Sequence, residues 1–298
     1  MKPLLTVLMA VRNGQPYLEV AIESILNQTY DHFDFLIVDD ASTDNTCKII
    51  KSYDDRRIKL ICLSENVGQT AALNVGIRQI STPWIARMDA DDYSEHTRLE
   101  KQIKALETNP SICCIGTNCW VFRDDPNIIE EIIKKPENDA EIKSSMLHEP
   151  SIIHGSILIK LEALLDAGGF NERFRVSADI DLYERLLTPS RYAMNIPEPL
   201  LGFRRHQHQE TKSLRAIEEG IEIFNRRLIS DRYSKNDKKV IRSTLALFHF
   251  LRSRYHLRKF HINKGVWIDI FHAFLISPLA IFNHSYKTLI YFFKKLKH

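Results

Sequence analysis

The 298-residue chain lacks a run of about 20 apolar residues free of charges, the minimum for a helix that crosses a bilayer. Its most apolar late stretch, residues 265–282, falls short because Asp269, His272 and Pro278 interrupt it. The opening "MKPLLTVLMAVRNG" does not read as a secretory signal. Its apolar stretch is short, is broken by Arg12 and Asn13, and lacks a small-residue cleavage site. The five cysteines (Cys47, Cys62, Cys113, Cys114, Cys119) show no paired CxxC spacing. Three of them sit in "SICCIGTNCWVF", where they read as small buried hydrophobes, so the expectation is a reducing compartment without disulfides. Gly168-Gly169 has no strand–GxGxxG–helix context and reads as turn chemistry rather than a phosphate loop. Internal repeats and low-complexity segments are also missing.

What is present is a chain 44% hydrophobic, enough for a sizeable core and one large or two modest domains. Its net charge of +3 hides an asymmetry: from Phe203 onward there are 20 Lys and Arg against 7 Asp and Glu, and before it 21 against 31. An acidic body thus joins a basic tail, which implies an anionic partner. Up to about residue 125 the pattern alternates. "LLTVLMAV", "FDFLIVDD", "IKLICL" and "PWIARM" read as strands. Pro16 opens a helix whose Leu18, Ala21, Ile22, Ile25 and Leu26 share one face. Ser42 or Asp44 would cap "CKIIKSY", and "TAALNVGIRQI" is a third helix. Such alternation predicts a mostly parallel sheet covered on both faces, an α/β fold of Rossmann-like type that binds ligands at the carboxyl ends of its strands. Beyond it come the strands "ICCIGTNCWVF", "SILIK" and "RYAMNI" and the helix "DIDLYERLL"; after Phe203 the chain turns helical.

Acidic groups end two of the predicted strands: Asp39 and Asp40, then Asp89, Asp91 and Asp92 in "RMDADD". Two carboxylates ~5 Å apart repel by roughly 3 kcal/mol at an effective dielectric near 20. A solvated loop that caps the helix in "DYSEHTRLEKQIKALE" is the bland explanation, with Asp91 or Asp92 as the cap. A hard divalent cation removes the repulsion, because carboxylate oxygens ligate Mg²⁺ or Mn²⁺ and these ions bridge substrate phosphates.

Six segments, in order, carry a resemblance: "TVLMAVRNGQPYLEVAIESILNQTY", "FLIVDDASTDNT", "ENVGQTAALNVGI", "WIARMDADD", "SADIDLYERLL" and "GFRRHQHQET". Together they resemble glycosyltransferase family 2, with the nucleotide-diphospho-sugar transferase fold called GT-A. The resemblance implies an inverting transfer of sugar from a nucleotide-diphosphate donor, a UDP-sugar, to a hydroxyl of a glycan or lipid-linked acceptor in surface-polysaccharide synthesis. It implies that Ala10, Val11 and Asn13 border the nucleobase and ribose, that Asp39 hydrogen-bonds the base, and that Asp40 supports that turn. Asn66, Gly68 and Asn74 would lie beside the nucleotide, and Asp89 at the ribose or a metal-bound water. Asp91 would ligate Mn²⁺ or Mg²⁺, with Arg204 and His206 approaching the diphosphate, His206 as a second metal ligand. Asp179 falls at the general base. Two departures accompany it: Ala178 stands where the family often has glutamate before the base, and Leu73 where many relatives have arginine before Asn74.

The domain expectation is a catalytic region over 1–205, its nucleotide-binding half ending near 110 and its acceptor half spanning 111–205, then a basic helical extension over 206–298. That extension, with Trp267 and several Phe and Tyr beside "KKLK", is expected to lie on an anionic membrane surface. A cytoplasmic location, peripheral on the membrane face, follows, and no nucleic-acid partner is expected. The rival readings are a non-catalytic nucleotide-binding scaffold of the same fold and a nucleotidyltransferase. The latter wants a lysine- and glycine-rich first loop that "AVRNGQPYL" lacks.

Overall fold

The computed structural model describes residues 3–206, 213–258 and 268–269. The chain divides into two compact units: residues up to Met146 with Pro150–Gln207, and Leu147–Glu149 with the residues from His208 onward.

The first unit opens with β1 (Leu5–Val11), α1 (Leu18–Leu26), β2 (Phe33–Asp39), α2 (Thr46–Ser52), β3 (Ile58–Cys62), α3 (Gln69–Ile77) and β4 (Trp84–Arg87). It continues with β5 (Tyr93–Ser94), α4 (Arg98–Thr108), β6 (Ile112–Phe122), β7 (Glu131–Ile133), α5 (Asp139–Ser145), β8 (Leu158–Lys160), α6 (Leu161–Asp166), α7 (Ala178–Leu186) and β9 (Tyr192–Arg204). One sheet holds all nine strands in the order β3-β2-β1-β4-β8-β6-β9-β5, with β7 added on β6. β3, β2, β1 and β4 run parallel, and β9 runs parallel to β6; β8 is antiparallel to both β4 and β6. The α/β sheet with flanking helices is therefore as the sequence predicts.

β1 is buried at every residue because the sheet centre is covered on both faces, which is why it reads as a continuous apolar run. Its Leu5, Val7 and Met9 meet Leu18, Ala21, Ile22 and Ile25 of α1 in the main core. Two details differ from the sequence reading. "RYAMNI" is only the start of a 13-residue strand that runs on through Pro197 and Pro199. Proline has no N–H for a ladder, and the β6–β9 register shifts there, between Thr117 and Cys119, with Asn118 Nδ2 donating to the Pro197 carbonyl at 2.7 Å. The cap of α2 is Asn45 without a side-chain bond, not Ser42 or Asp44; Asp44 Oδ1 instead accepts the Thr46 N–H at 3.0 Å.

The strand order places the site. The chain builds outward from β1 to β2 and β3, then returns to lay β4 on the other flank of β1. A crevice outside the carboxyl ends forms where an order reverses in this way, so β1 ends between the aspartates of β2 and those after β4.

The second unit contains α8 (Leu214–Ile229), capped by Ser213 on the Ala216 N–H, and α9 (Lys235–Arg258). Ile221 and Phe224 pack on Ile241 and Leu245. Asp269, expected to be a charge interrupting an apolar surface helix, is buried against α9: His249 Nδ1 lies 2.9 Å and Arg252 Nε 2.8 Å from its carboxylate. No helix among the described residues is long and apolar enough to cross a membrane. Apart from Ile268 and Asp269, the expected surface helix over 265–282 lies outside the described residues, as does His208.

Candidate active site

On the β2 side, Ala10 and Val11 end β1 as buried residues, Val11 lying opposite Asp39. The chain then turns at Asn13 with φ +51°, matched across the crevice by Ala41 at φ +53°. Asparagine tolerates the left-handed region; alanine there costs ~1–2 kcal/mol, so its surroundings must hold it. They do so by lacing the two loops together. The Asn13 N–H donates to Ser42 Oγ at 2.9 Å, the Thr43 N–H to Asn13 Oδ1 at 2.8 Å, and the Gly14 N–H to Thr46 Oγ1 at 2.8 Å.

Asp39 is buried and accepts from the Ser42 N–H at 3.3 Å and from its hydroxyl. Asp40 reaches further than its own turn: Oδ1 accepts the Val67 N–H at 2.7 Å and Oδ2 the Gly68 N–H at 2.9 Å. That clamp fixes the loop holding Asn66 and Gly68, where Gly68 takes φ +89° at the cap of α3. Asn74 binds chain from the other half of the unit. Its Nδ2 donates to the Phe170 carbonyl and Glu172 Oε1, each at 2.8 Å, and its Oδ1 accepts the Phe170 N–H at 3.0 Å. Just before that loop, Gly168 and Gly169 end α6 at φ +80° and +68°, the helix-stop geometry that favours glycine.

On the β4 side the three aspartates occupy three environments. Asp89 is gripped by both terminal nitrogens of buried Arg87, Nη2 at 2.5 Å from Oδ1, with Gln69 Nε2 at 3.2 Å. Burial works against the Arg87 charge, but Asp89 outweighs it and the arginine pKa ends above its ordinary value. Asp91 is half-buried, with Oδ2 2.8 Å from His206 Nε2. Asp92 is fully enclosed; Oδ1 accepts the Arg204 N–H at 2.9 Å, while Oδ2 is buried with no hydrogen-bond partner. Burial first, and the neighbouring aspartates second, push the Asp91 carboxyl up and the Asp92 carboxyl well up. Neither caps α4, which begins at Arg98 after the short β5 and has Thr97 at its cap position.

Arg204 holds this cluster from behind. Its Nε donates to the Asp91 carbonyl at 2.8 Å and its Nη1 to the carbonyls of Arg123 and Asp124 at 2.7 and 3.0 Å. Its guanidinium lies over the rings of Tyr17 and Phe122, 4.6 and 4.4 Å from their centroids. These bonds serve backbone carbonyls and neighbouring rings.

Asp179 is the second residue of α7, whose cap position falls to Ser177. Burial raises its pKa to about 6, against the opposing pull of the Ile180 N–H and Arg87; Asp89 pushes it the same way as burial. One turn on, Tyr183 is buried with its hydroxyl 3.0 Å from His154 Nδ1.

Among the described residues, the group of three His, Cys, Asp or Glu whose ligand atoms fall within 4.8 Å of one another is Asp39 with Cys47 and Cys62, not the acidic cluster. The cluster offers Asp91 and His206 as one O and one N donor, beside the unpartnered Asp92 Oδ2. Two carboxyls held above their ordinary pKa and an orphaned buried oxygen fit a hard cation nearby. A pair of protein ligands suits an ion that keeps places for phosphate oxygens and water.

The family described as Glycosyl transferase family 2 matches residues 6–166, more than half of the chain. The chain belongs to glycosyltransferase family 2. This glycosyltransferase is 30% identical over 257 residues to the O-antigen biosynthesis glycosyltransferase WbnJ of Escherichia coli, covering 84% of this chain and 96% of that one. S. aureus TarS 1–349 in complex with UDP-GlcNAc superposes with a TM-score of 0.70 at 15% identity, covering 90% of this chain and 79% of that one. The mannosyltransferase PcManGT of Pyrobaculum calidifontis, in complex with GDP-Man and Mn²⁺, superposes with a TM-score of 0.63 at 19% identity over 97% of this chain and 81% of that one. The fold is thus GT-A.

Several side chains of the glycosyltransferase site escape sequence reading. Arg87 precedes the acids at the end of the strand segment "PWIARM" and has no role of its own in the sequence reading. Arg98, within the helical segment "DYSEHTRLEKQIKALE", is fully buried, donates to the Gly155 carbonyl at 2.9 Å, and is lowered to about 10 by burial despite Asp92. The only signal for Arg98 was an arginine six residues after an acidic cluster, which is too common to select.

Proposed function

We propose that the chain transfers a sugar with inversion from a nucleotide-diphosphate donor, a UDP-sugar, to a hydroxyl of a glycan or lipid-linked acceptor in surface-polysaccharide assembly. The observation that carries the chemistry is Asp179. It is a carboxyl with its pKa near 6, acted on by Arg87 and Asp89, in a unit whose strand ends gather the nucleotide-side aspartates. A base poised close to the working pH takes a proton from the acceptor hydroxyl, typically worth ~10²–10⁴-fold. WbnJ supports the pathway class by its name, TarS a UDP-sugar donor, and PcManGT a manganese ion.

Asp39 and Asn13 would meet the base and ribose, with Ala10 and Val11 as the floor, and Asn66 and Gly68 on the side that Asp40 clamps. Asp91 and His206 would hold Mn²⁺ or Mg²⁺, which when bound supplies positive charge to the diphosphate leaving group. Asp89, aimed by Arg87 and Gln69, would orient the ribose. Arg204 acts as a positioning residue that fixes Asp91 and Asp92 from the end of β9. Residues 1–205 would form the catalytic region. The basic residues 206–298 would form an extension that places it on an anionic membrane at the cytoplasmic face.

A screen of nucleotide sugars for thermal stabilisation with Mn²⁺ tests the donor site. A donor at 100 times its Kd adds ~2.7 kcal/mol to stability. No stabilisation by any UDP- or GDP-sugar would overturn the donor-site reading, whereas stabilisation without turnover on any sugar donor would leave the non-catalytic nucleotide-binding scaffold.

A further inference from the structure

The one close thiol pair among the described residues sits beside the proposed nucleotide subsite. Cys47 Sγ and Cys62 Sγ are 3.1 Å apart, about 1 Å beyond a disulfide bond of roughly 2.05 Å. Cys62 is the last residue of β3 and pairs in register with Asp39 of β2. Cys47 is the second residue of α2, just past the Asp39–Thr46 loop that laces to Asn13 and Gly14. Cys62 is exposed and Cys47 half-buried, whereas Cys113, Cys114 and Cys119 are buried. Proximity, access for a small oxidant and a fixed anchor on each side thus coincide at one pair.

We propose that Cys47 and Cys62 are a redox modification site, closing to a reversible disulfide that shifts the Asp39–Thr46 loop and weakens nucleotide binding. The second half of this statement rests on the nucleotide reading of that loop; the first half does not. The oxidant is a low-molecular-weight disulfide. One cysteine thiolate attacks it, forming a mixed disulfide and releasing one small thiol. The other cysteine then displaces the second small thiol and completes the S–S bond, so two electrons and two protons pass to the oxidant. Partial desolvation of the Cys62 sulfur by its neighbours, and the Cys47 thiol beside it, push Cys62 up to about 11, so it attacks slowly at neutral pH and closure speeds up as pH rises. A soft cation between these thiols and Asp39 is the competing use of the same atoms. Asp39 Oδ1 already accepts from both the Ser42 N–H and hydroxyl, which leaves that set poorer in donors than a closed four-ligand site.

The test treats the full chain with oxidised glutathione at pH 8.5, blocks remaining thiols by alkylation, and reads the intact mass and the peptides containing residues 47 and 62. UDP affinity is then measured with Mn²⁺ before and after, and again after reduction. The expected result is loss of two alkylatable thiols, a 47–62 cross-link, and UDP binding weakened roughly three- to tenfold and restored by reduction, which is up to about 1.4 kcal/mol of lost contact with the shifted loop. Cys47→Ser and Cys62→Ser should give no internal cross-link and no response of affinity to the oxidant. Failure to cross-link, a cross-link that leaves affinity unchanged, or protection of both thiols by Zn²⁺ alone without mass loss from oxidation would each overturn the proposal. Reduced protein that binds no nucleotide would instead sink the donor-site reading, and with it the affinity half, while the mass still decides the thiol half.

Discussion

Replacing Asp179 with asparagine should make the protein more stable while it disables the reaction, and the size of the first effect follows from the site. Burial lifts the carboxyl from its ordinary 3.8 to about 6. The folded chain therefore holds a proton more readily than the unfolded chain between those two pH values. Stability consequently falls as pH rises through that window and stays lowered above it. At about 1.36 kcal/mol for each pH unit, the rise amounts to roughly 3 kcal/mol at neutral pH. Asparagine has the same shape and no charge to desolvate, so Asp179→Asn should recover up to that amount. For a unit near 200 residues this is an increase in Tm of several degrees, at most about 10 °C. At pH 4 the two proteins should melt together. Turnover of a donor sugar should drop ~10²–10⁴-fold with nucleotide affinity little changed. Calorimetric melting from pH 4 to 8, alongside single-turnover transfer, reads both. If Asp179→Asn melts lower than wild type at pH 7.5, or keeps its turnover within about threefold, the account of Asp179 as a strained, proton-seeking base is wrong.

Arg204→Met should cost about 3–4 kcal/mol in urea unfolding, because the carbonyls of Asp91, Arg123 and Asp124 lose a buried charged donor while the backbone N–H bond to Asp92 is kept; Arg204→Lys should restore less than half, lacking the planar fork. Gly155→Ala places a methyl 3.2 Å from both Asp89 Oδ2 and Asp92 Oδ2 and 3.1 Å from Leu201; it should cost roughly 1–3 kcal/mol and raise the Mn²⁺ concentration needed for half-maximal activity. Asp40→Asn loses acceptor strength for two backbone N–H groups at 2.7 and 2.9 Å, and should weaken UDP binding through the loose Asn66–Gly68 loop, visible as faster amide exchange at Val67 and Gly68. His206→Ala should lower Mn²⁺ affinity, read by electron paramagnetic resonance of free Mn²⁺, while leaving the melting temperature within about 2 °C.

The strands and helices of the first 125 residues were legible because each repeats a simple period: apolar runs for strands closed in on both faces, and a 3.6-residue stripe in α1. The acids at the ends of β2 and β4 were legible for the same reason, since strand ends fix where they gather. What pattern could not show was the use of each acid. Asp40 and Asp92 look like Asp39 and Asp91 in a string of letters, yet they bind backbone N–H groups from residues 67, 68 and 204. Those partners are set by tertiary closure, which has no local signal. The length of β9 was hidden because two prolines suggest a break, and only the irregular register opposite Asn118 accommodates them. Cys47 and Cys62 carry no spacing motif, because a strand and the helix before it bring them together through the sheet.

The partner of Asp92 is made 112 residues after it. A ribosome adding roughly 5–20 residues per second leaves the acidic triplet without its arginine backing for about 5–20 s. Cutting the chain at the end of the family match, near residue 166, would make that interval permanent and would also remove the strand that runs beside β6. The floor beneath the acidic triplet is therefore set by the last strand of the sheet, and a shortened version built around the motif alone should emerge as an aggregation-prone fragment rather than a small transferase.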